Sequence, residues 1–177
     1  MIEYFFACYP GCLSIDRGKK MSLHVVLLEP EIPQNTGNIS RTCAVTGSVL
    51  HLIGPLGFSI DEKHVKRAGL DYWDILDLRC YSNYDEFLKR NPKAQIYYLT
   101  TKSEKRYSDM EYPRDDCFIM FGKETAGIPE AILNQNRDSC IRIPMLNSER
   151  ARSLNLSNSV SIVVYEILRQ YGYPNMK

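Results

Sequence analysis

The chain has 177 residues, 44% of them hydrophobic, and a formal charge of +1 from 22 Lys and Arg against 21 Asp and Glu. That length carries one globular domain with a substantial core. No apolar run approaches the roughly 20 residues that span a bilayer, so the expectation is a soluble protein that binds no membrane. A balance near zero argues against a surface coated in basic charge, while leaving room for a local basic patch. Six cysteines (Cys8, Cys12, Cys43, Cys80, Cys117, Cys140) form no CxxC pair, and His24, His51 and His64 show no ligand spacing. Neither a disulfide framework nor a metal site is expected, and a reducing cytoplasm is the natural setting.

Residues 1–20 differ in character from the remainder of the chain. Glu3 precedes the basic residues, the wrong order for a signal peptide, and Pro10-Gly11 breaks the apolar stretch. An in-frame purine-rich ribosome-binding site would translate to something like Arg17-Gly-Lys-Lys20 just ahead of Met21. Met21 is therefore expected to be the natural first residue, with 1–20 a leader outside the domain at 21–177. The plainer alternative is a loosely docked tail.

From Leu23 the chain alternates strand and helix. Leu23–Leu28 is a compact apolar run fit for a strand buried on both faces. Glu29–Pro33 reads as a loop, and Asn35 or Thr36 as the cap of a helix that runs to about Thr46 and stops at Gly47. Val49–Ile53 is the second strand. Asp61 caps a short basic helix through Ala68, and Ile75–Cys80 is a third, weaker strand interrupted by Asp77 and Arg79. Asn83 caps a helix through about Arg90, Gln95–Thr100 is the fourth strand, and polar Lys102–Arg114 reads as a long surface loop. Cys117–Phe121 and Cys140–Ile143 are the fifth and sixth strands, flanking a helix over Pro129–Gln135. A last helix spans about Asn158 to Gln170. The pattern predicts a single α/β domain with a mostly parallel six-stranded sheet, whose ligand crevice lies at the C-terminal strand tips.

Three stretches carry the chemistry. Gly122-Lys-Glu-Thr-Ala-Gly127-Ile-Pro129 is not a Walker A loop, because Ile128 and Pro129 stand where Lys and Ser or Thr are required. Alone it reads as a tight turn. No G-x-G-x-x-G follows the first strand, which disfavours a dinucleotide-binding unit. Asn35-Thr-Gly37-Asn38-Ile-Ser-Arg41 crowds two asparagines and a glycine at a helix entry, with Arg41 placed to grip a phosphate. The competing reading is a well-capped helix with a solvated arginine. Ser153-Leu-Asn-Leu-Ser-Asn-Ser159 holds five Ser and Asn residues in seven positions, more than one cap needs, and points to hydrogen bonding beyond the chain itself.

Taken together, N-x-G-N-x-x-R, F-G-x-E-x-x-G-I-P and I-P-M followed by S-L-N-L-S-N-S resemble, in order and spacing, the three motifs of the SPOUT-class (SpoU/TrmH-like) RNA methyltransferases. The resemblance is strongest to the small tRNA wobble-nucleotide (position 34) ribose 2′-O-methyltransferases, and LLEPEIPQNTGNISR, RAGLDYW, YLTTK and VVYE add to it. It covers Met21 to the C-terminus, with a slightly longer loop over Leu146–Arg152. It implies a C-terminal deep trefoil knot, which general topology would not predict. It also implies S-adenosyl-L-methionine as co-substrate, held by Leu99, Thr100, Gly122, Glu124, Ile143, Met145, Ser153 and Leu154.

Gly122 would let the backbone approach an adenosine, and the aliphatic side chains would form an apolar wall. Arg41, Asn155 and Ser157 are the implied catalytic groups. Arg41, with Lys66, Arg67 and Arg152, would also contact RNA, as would Lys63, Lys102 and Arg150. The resemblance further implies a homodimer in which Arg41 completes the partner's pocket and the last helix, with Tyr165, forms the interface. The partner nucleic acid would be the anticodon stem-loop of tRNA. The alternative is a non-catalytic knot module that binds RNA or nucleotide, which would have no need of Arg41 or Asn155. A flavin or phosphate-loop protein is opposed by the missing loop residues.

Overall fold

A computed structural model describes residues 22–58, 73–148 and 153–177. The leader, the helix expected over Asp61–Ala68, and Lys66, Arg67 and Arg152 lie outside the described residues, as do Lys63 and Arg150. Six strands, β1 (Leu23–Leu28), β2 (Val49–Ile53), β3 (Leu78–Tyr81), β4 (Gln95–Leu99), β5 (Cys117–Phe121) and β6 (Cys140–Ile141), form one sheet in the order β3-β2-β1-β5-β4-β6. Every adjacent pair is parallel. The central strands β1, β2 and β5 are buried at every residue, which is why they read as unbroken apolar runs rather than alternating ones.

Four helices are described: α1 (Pro33–Thr46), α2 (Tyr84–Arg90), α3 (Glu130–Gln135) and α4 (Leu156–Tyr171). Helix α4 lays Val160, Val163, Val164 and Ile167 on the sheet face formed by Leu23, Val25 and Leu27 of β1 and Ile119 of β5. Its neighbour α1 contributes Ile39 and Cys43 to the same cluster. The opposite face packs Val26, Leu28 and Phe118 against Phe87 of α2 and Leu133 of α3.

Several expected boundaries move, each for a physical reason. Helix α1 begins at Pro33, not after Asn35 or Thr36, because the fixed φ of proline suits the first helical position. Its N-cap residue, Ile32, offers no side-chain acceptor, and both Asn35 and Thr36 are buried inside the first turn. The third strand starts at Leu78, and Trp73–Ile75 is a 3-10 turn instead. As an edge strand, β3 tolerates the Arg79 guanidinium donating to the Asp77 carboxylate at 2.9 and 3.1 Å.

The sixth strand stops at Ile141, and the Lys102–Arg114 segment is not plain loop. It contains a 3-10 turn at Tyr107–Asp109 and pairs Arg106 with Arg142 in a parallel bridge. Helix α4 starts two residues before the expected Asn158, capped by Asn155. The Asn83 cap of α2 holds as expected, its side chain accepting from the Glu86 N–H at 2.9 Å.

Candidate functional site

Parallel strands deliver their following loops to one end of the sheet. The loops after β4, β5 and β6, with the start of α4, surround a cavity of about 480 Å³ there. All eight residues that the motif resemblance implies for a co-substrate line it: Leu99, Thr100, Gly122, Glu124, Ile143, Met145, Ser153 and Leu154. Asn155 lines it too. Ser157 and Arg41 do not: Ser157 is buried behind Asn155, and Arg41 stands on the exposed side of α1.

The loop after β5 is locked in two ways. It closes on itself, with the Gly127 N–H donating to the Lys123 carbonyl at 2.8 Å and Gly127 in the left-handed region at φ 70. A Cβ on Gly122 would overlap the Gly127 carbonyl and the Ile128 nitrogen, so glycine is required there by the loop's own backbone. Glycine at 122 is thus required by the chain's own packing, at a position that also lines the cavity. The loop is also fastened to the segment before α1. Lys123 Nζ pairs with Glu29 at 3.0 Å, and Thr125 Oγ1 donates to Glu31 at 2.7 Å. Between them Glu124 accepts from the backbone N–H groups of Glu31 at 2.9 Å and Ile32 at 3.3 Å.

Glu124 thus supplies from a distant loop the anionic cap that Ile32 lacks, at the helix end where negative charge is favoured. Burial alone would raise its carboxyl, but donation from Asn35 Nδ2 at 2.9 Å and from the backbone amides outweighs that and holds it below the usual carboxylate range. Asn155 plays the matching part at α4. Its Oδ1 accepts from the Ser157 N–H at 2.9 Å, the Asn158 N–H at 3.3 Å and the Ser157 hydroxyl at 2.7 Å, while its Nδ2 donates to Asn35 Oδ1 at 3.0 Å. The Ser159 and Ser161 hydroxyls donate back to the Asn155 and Ser157 carbonyls. Within the polar cluster at 153–159, Asn155, Ser157 and Ser159 therefore make side-chain bonds inside the chain, while Ser153 and Asn155 line the cavity.

The family model that describes the SpoU rRNA methylases matches residues 22–165. The chain belongs to the SpoU rRNA methylase family. It is 48% identical over 153 residues to the tRNA (cytidine(34)-2'-O)-methyltransferase of Escherichia coli (strain K12), covering 86% of this chain and 96% of that protein. A solved structure concerned with 2-OH methylation of C/U34 on tRNA superposes with a TM-score of 0.78 at 40% identity, covering 86% of this chain and 97% of that one. The SpoU methyltransferase AviRb from Streptomyces viridochromogenes, in complex with AdoMet, shares the fold with a TM-score of 0.70 at 24% identity, covering 88% of this chain and 60% of that one.

In this SpoU family member the described RNA candidate Lys102 lines the cavity and pairs with Glu130 at 2.8 Å. Tyr165 is 44% exposed on α4, near in sequence to exposed Ile162 on the same helix. The site residue that sequence reasoning did not single out is Asn35. The pattern N-x-G-N marks it as polar and at a helix entry, but its partners lie 89 and 120 residues away. Among the described residues no group of three or more His, Cys, Asp or Glu stands where it could hold a metal ion, and no helix is long and apolar enough to cross a membrane.

Proposed function

We propose that this chain is a tRNA ribose 2′-O-methyltransferase that acts on the wobble nucleotide, cytidine or uridine 34, with S-adenosyl-L-methionine as methyl donor. The observation that carries the reading is the convergence of all three sequence motifs on one cavity of about 480 Å³, inside the range of small-molecule sites, about 300–1,000 Å³. The lining fits the donor: apolar Leu99, Ile143 and Leu154 lie beside loops rich in backbone amides and carbonyls.

The donor brings a methyl group already activated on a sulfonium, so that the ribose oxygen displaces a thioether in line and the hydroxyl gives up its proton. What the chain must add is alignment of that oxygen and stabilisation of charge. The planar guanidinium of Arg41 suits a bidentate grip on an RNA phosphate. The hydroxyl proton passes to a phosphate or to water. Asn155 borders the cavity and Ser157 supports it, so we assign both to holding the start of α4 against the reacting group.

Arg41 does not line its own chain's cavity. This favours a homodimer in which each protomer's Arg41 serves its partner's site, across a face that includes exposed Val45 of α1 and Ile162 and Tyr165 of α4. A trefoil knot is consistent with α4 packing back against α1 and β1 after the edge strand β6. Buried, free Cys43, Cys117 and Cys140 suit a cytoplasmic enzyme. Within this reading Lys66, Arg67 and Arg152 are candidate tRNA contacts.

Ribose-methylation mapping of tRNA from cells with and without the gene tests the reading. Loss of the position-34 mark on deletion is expected. Re-expression of wild type should restore it, while Arg41→Ala, expected to be slower by about 100-fold or more, should not. An unchanged mark after deletion would leave the non-catalytic binding module in its place.

A further inference from the structure

Asn35 is only 5% exposed, yet it borders the cavity and both ends of its amide are engaged by protein. Its Nδ2 donates to Glu124 Oε1 at 2.9 Å, and its Oδ1 accepts from Asn155 Nδ2 at 3.0 Å. The chain of bonds has one possible polarity. An ionised carboxylate only accepts, so the Asn35 atom facing Glu124 is the NH₂ group. At the other end the Ser157 and Asn158 backbone N–H groups only donate, so the Asn155 atom facing them is the oxygen. Asn155 therefore turns its NH₂ to Asn35, and Asn35 turns its oxygen to Asn155. Both amide orientations follow from the two ends of the chain, one an anion and the other a helix N-terminus.

We infer that Asn35 is a positioning residue for the methyl-donor site, a one-way amide link that sets the spacing between the 122–125 loop and the start of α4. This rests on the reading of the cavity as the donor site. The three linked residues come from α1, the loop after β5 and the turn before α4, and all three line the same cavity. Asn35 joins two of its walls directly, and through Glu124 it also steadies the N-terminus of the helix that carries Arg41. No other common side chain of this size does both. Alanine would take the Asn155 Nδ2 acceptor away and leave Glu124 Oε1 with the longer Ile32 N–H bond at 3.3 Å. Aspartate would keep the shape but set a second carboxylate against Glu124. The remaining charges around Glu124 do not relieve that clash, since Lys123 is paired with Glu29 and Glu31 is itself anionic.

The test uses full-length protein and S-adenosylhomocysteine as probe. By titration calorimetry, Asn35→Asp should bind about tenfold more weakly than wild type near about pH 8. It should recover toward wild type near about pH 5.5, as two facing carboxyls come to share a proton. Adding Glu124→Gln to Asn35→Asp should restore affinity at the higher pH, because the glutamine NH₂ then donates to the new carboxylate. Equal affinity of Asn35→Asp and wild type at high pH, or a loss indifferent to both acid and the second substitution, overturns the inference.

Asn35→Ala gives a ligand-free readout. Amide hydrogen exchange at Glu31 and Ile32, whose N–H groups bond to Glu124, should quicken by about tenfold. Unchanged exchange also overturns the link. Wild type that takes up no S-adenosylhomocysteine would instead sink the donor-site reading, and the exchange experiment would still judge the link.

Discussion

Two chains of hydrogen-bonded polar side chains run through the described residues, one at the strand tips, where only Asn35 is buried, and one inside the face of the sheet. The first is Glu124–Asn35–Asn155. The second crosses β1, β2 and β3: His24 Nδ1 meets His51 Nε2 at 2.8 Å, and His51 Nδ1 meets the Tyr81 hydroxyl at 2.9 Å. Asn91 Nδ2 donates to the same hydroxyl at 3.3 Å. The His24 ring stacks on Phe118 with centroids 4.0 Å apart. Burial pulls His24 down to about 4, helped by Arg79 and opposed by Asp116. It pulls His51 to about 2, with His24, Arg79 and Arg90 adding to the effect. Both imidazoles are therefore neutral near neutral pH.

The contrast is in what each chain joins. The face chain links neighbouring strands already held by backbone pairing, and its members shed charge in order to be buried. The tip chain links segments with no backbone pairing to one another, and it ends on a carboxylate kept ionised by its donors. A buried polar group inside the sheet is a packing element. A polar chain at the tips substitutes for the missing ladder and decides where loops stand.

Acid is the strongest way to separate the two. Both histidine values are depressed, so the unfolded chain takes up protons below about pH 6.5 while the folded chain resists. Stability is fully present above that pH and should fall by up to about 1.4 kcal/mol per pH unit for each histidine between about 6.5 and about 4. Denaturant unfolding across that range checks it, and a flat profile would mean the face chain is not buried neutral. His51→Ala comes next. It empties a fully buried site, removes the partner of His24 Nδ1 and leaves the Tyr81 hydroxyl with Asn91, a loss of about 3 kcal/mol in unfolding free energy. Affinity for S-adenosylhomocysteine should stay unchanged in the folded fraction, and a fall would break the division between face and tips.

Glu124→Ala should behave in the opposite way. Its cost in stability is about 1 kcal/mol, that of a lost helix cap. Its cost in donor affinity is larger, at about tenfold or more, measured by calorimetry at the same temperature. A variant that lost stability without losing affinity would show the tip chain to be packing as well.

The fold was legible wherever one segment carried its own signal. Apolar runs marked β1, β2 and β5, and Asn83 marked the entry to α2. Sequence and structure diverge where the deciding partner is remote. β3 begins at Leu78, where pairing with Leu50 becomes possible, and not at the first apolar residue, Ile75, which is 60% exposed. The entry to α1 looks self-capped by Asn35 or Thr36 in sequence, but the cap arrives from Glu124. The eight co-substrate candidates came from the motif resemblance, and all of them line one cavity. The role of Asn35 was not legible, because an amide side chain does not reveal in sequence which way it points.

Composition and local pattern alone determined the alternation of strand and helix, the burial of the central strands and the motifs at their tips. These depend on interactions within a few residues, or on hydrophobicity, which needs no particular partner. Tertiary structure decided which donor meets which acceptor. A hydrogen bond demands a specific atom about 3 Å away, and for Glu124, Asn35 and Asn155 that atom is supplied by a segment that the fold, not the chain order, brings near.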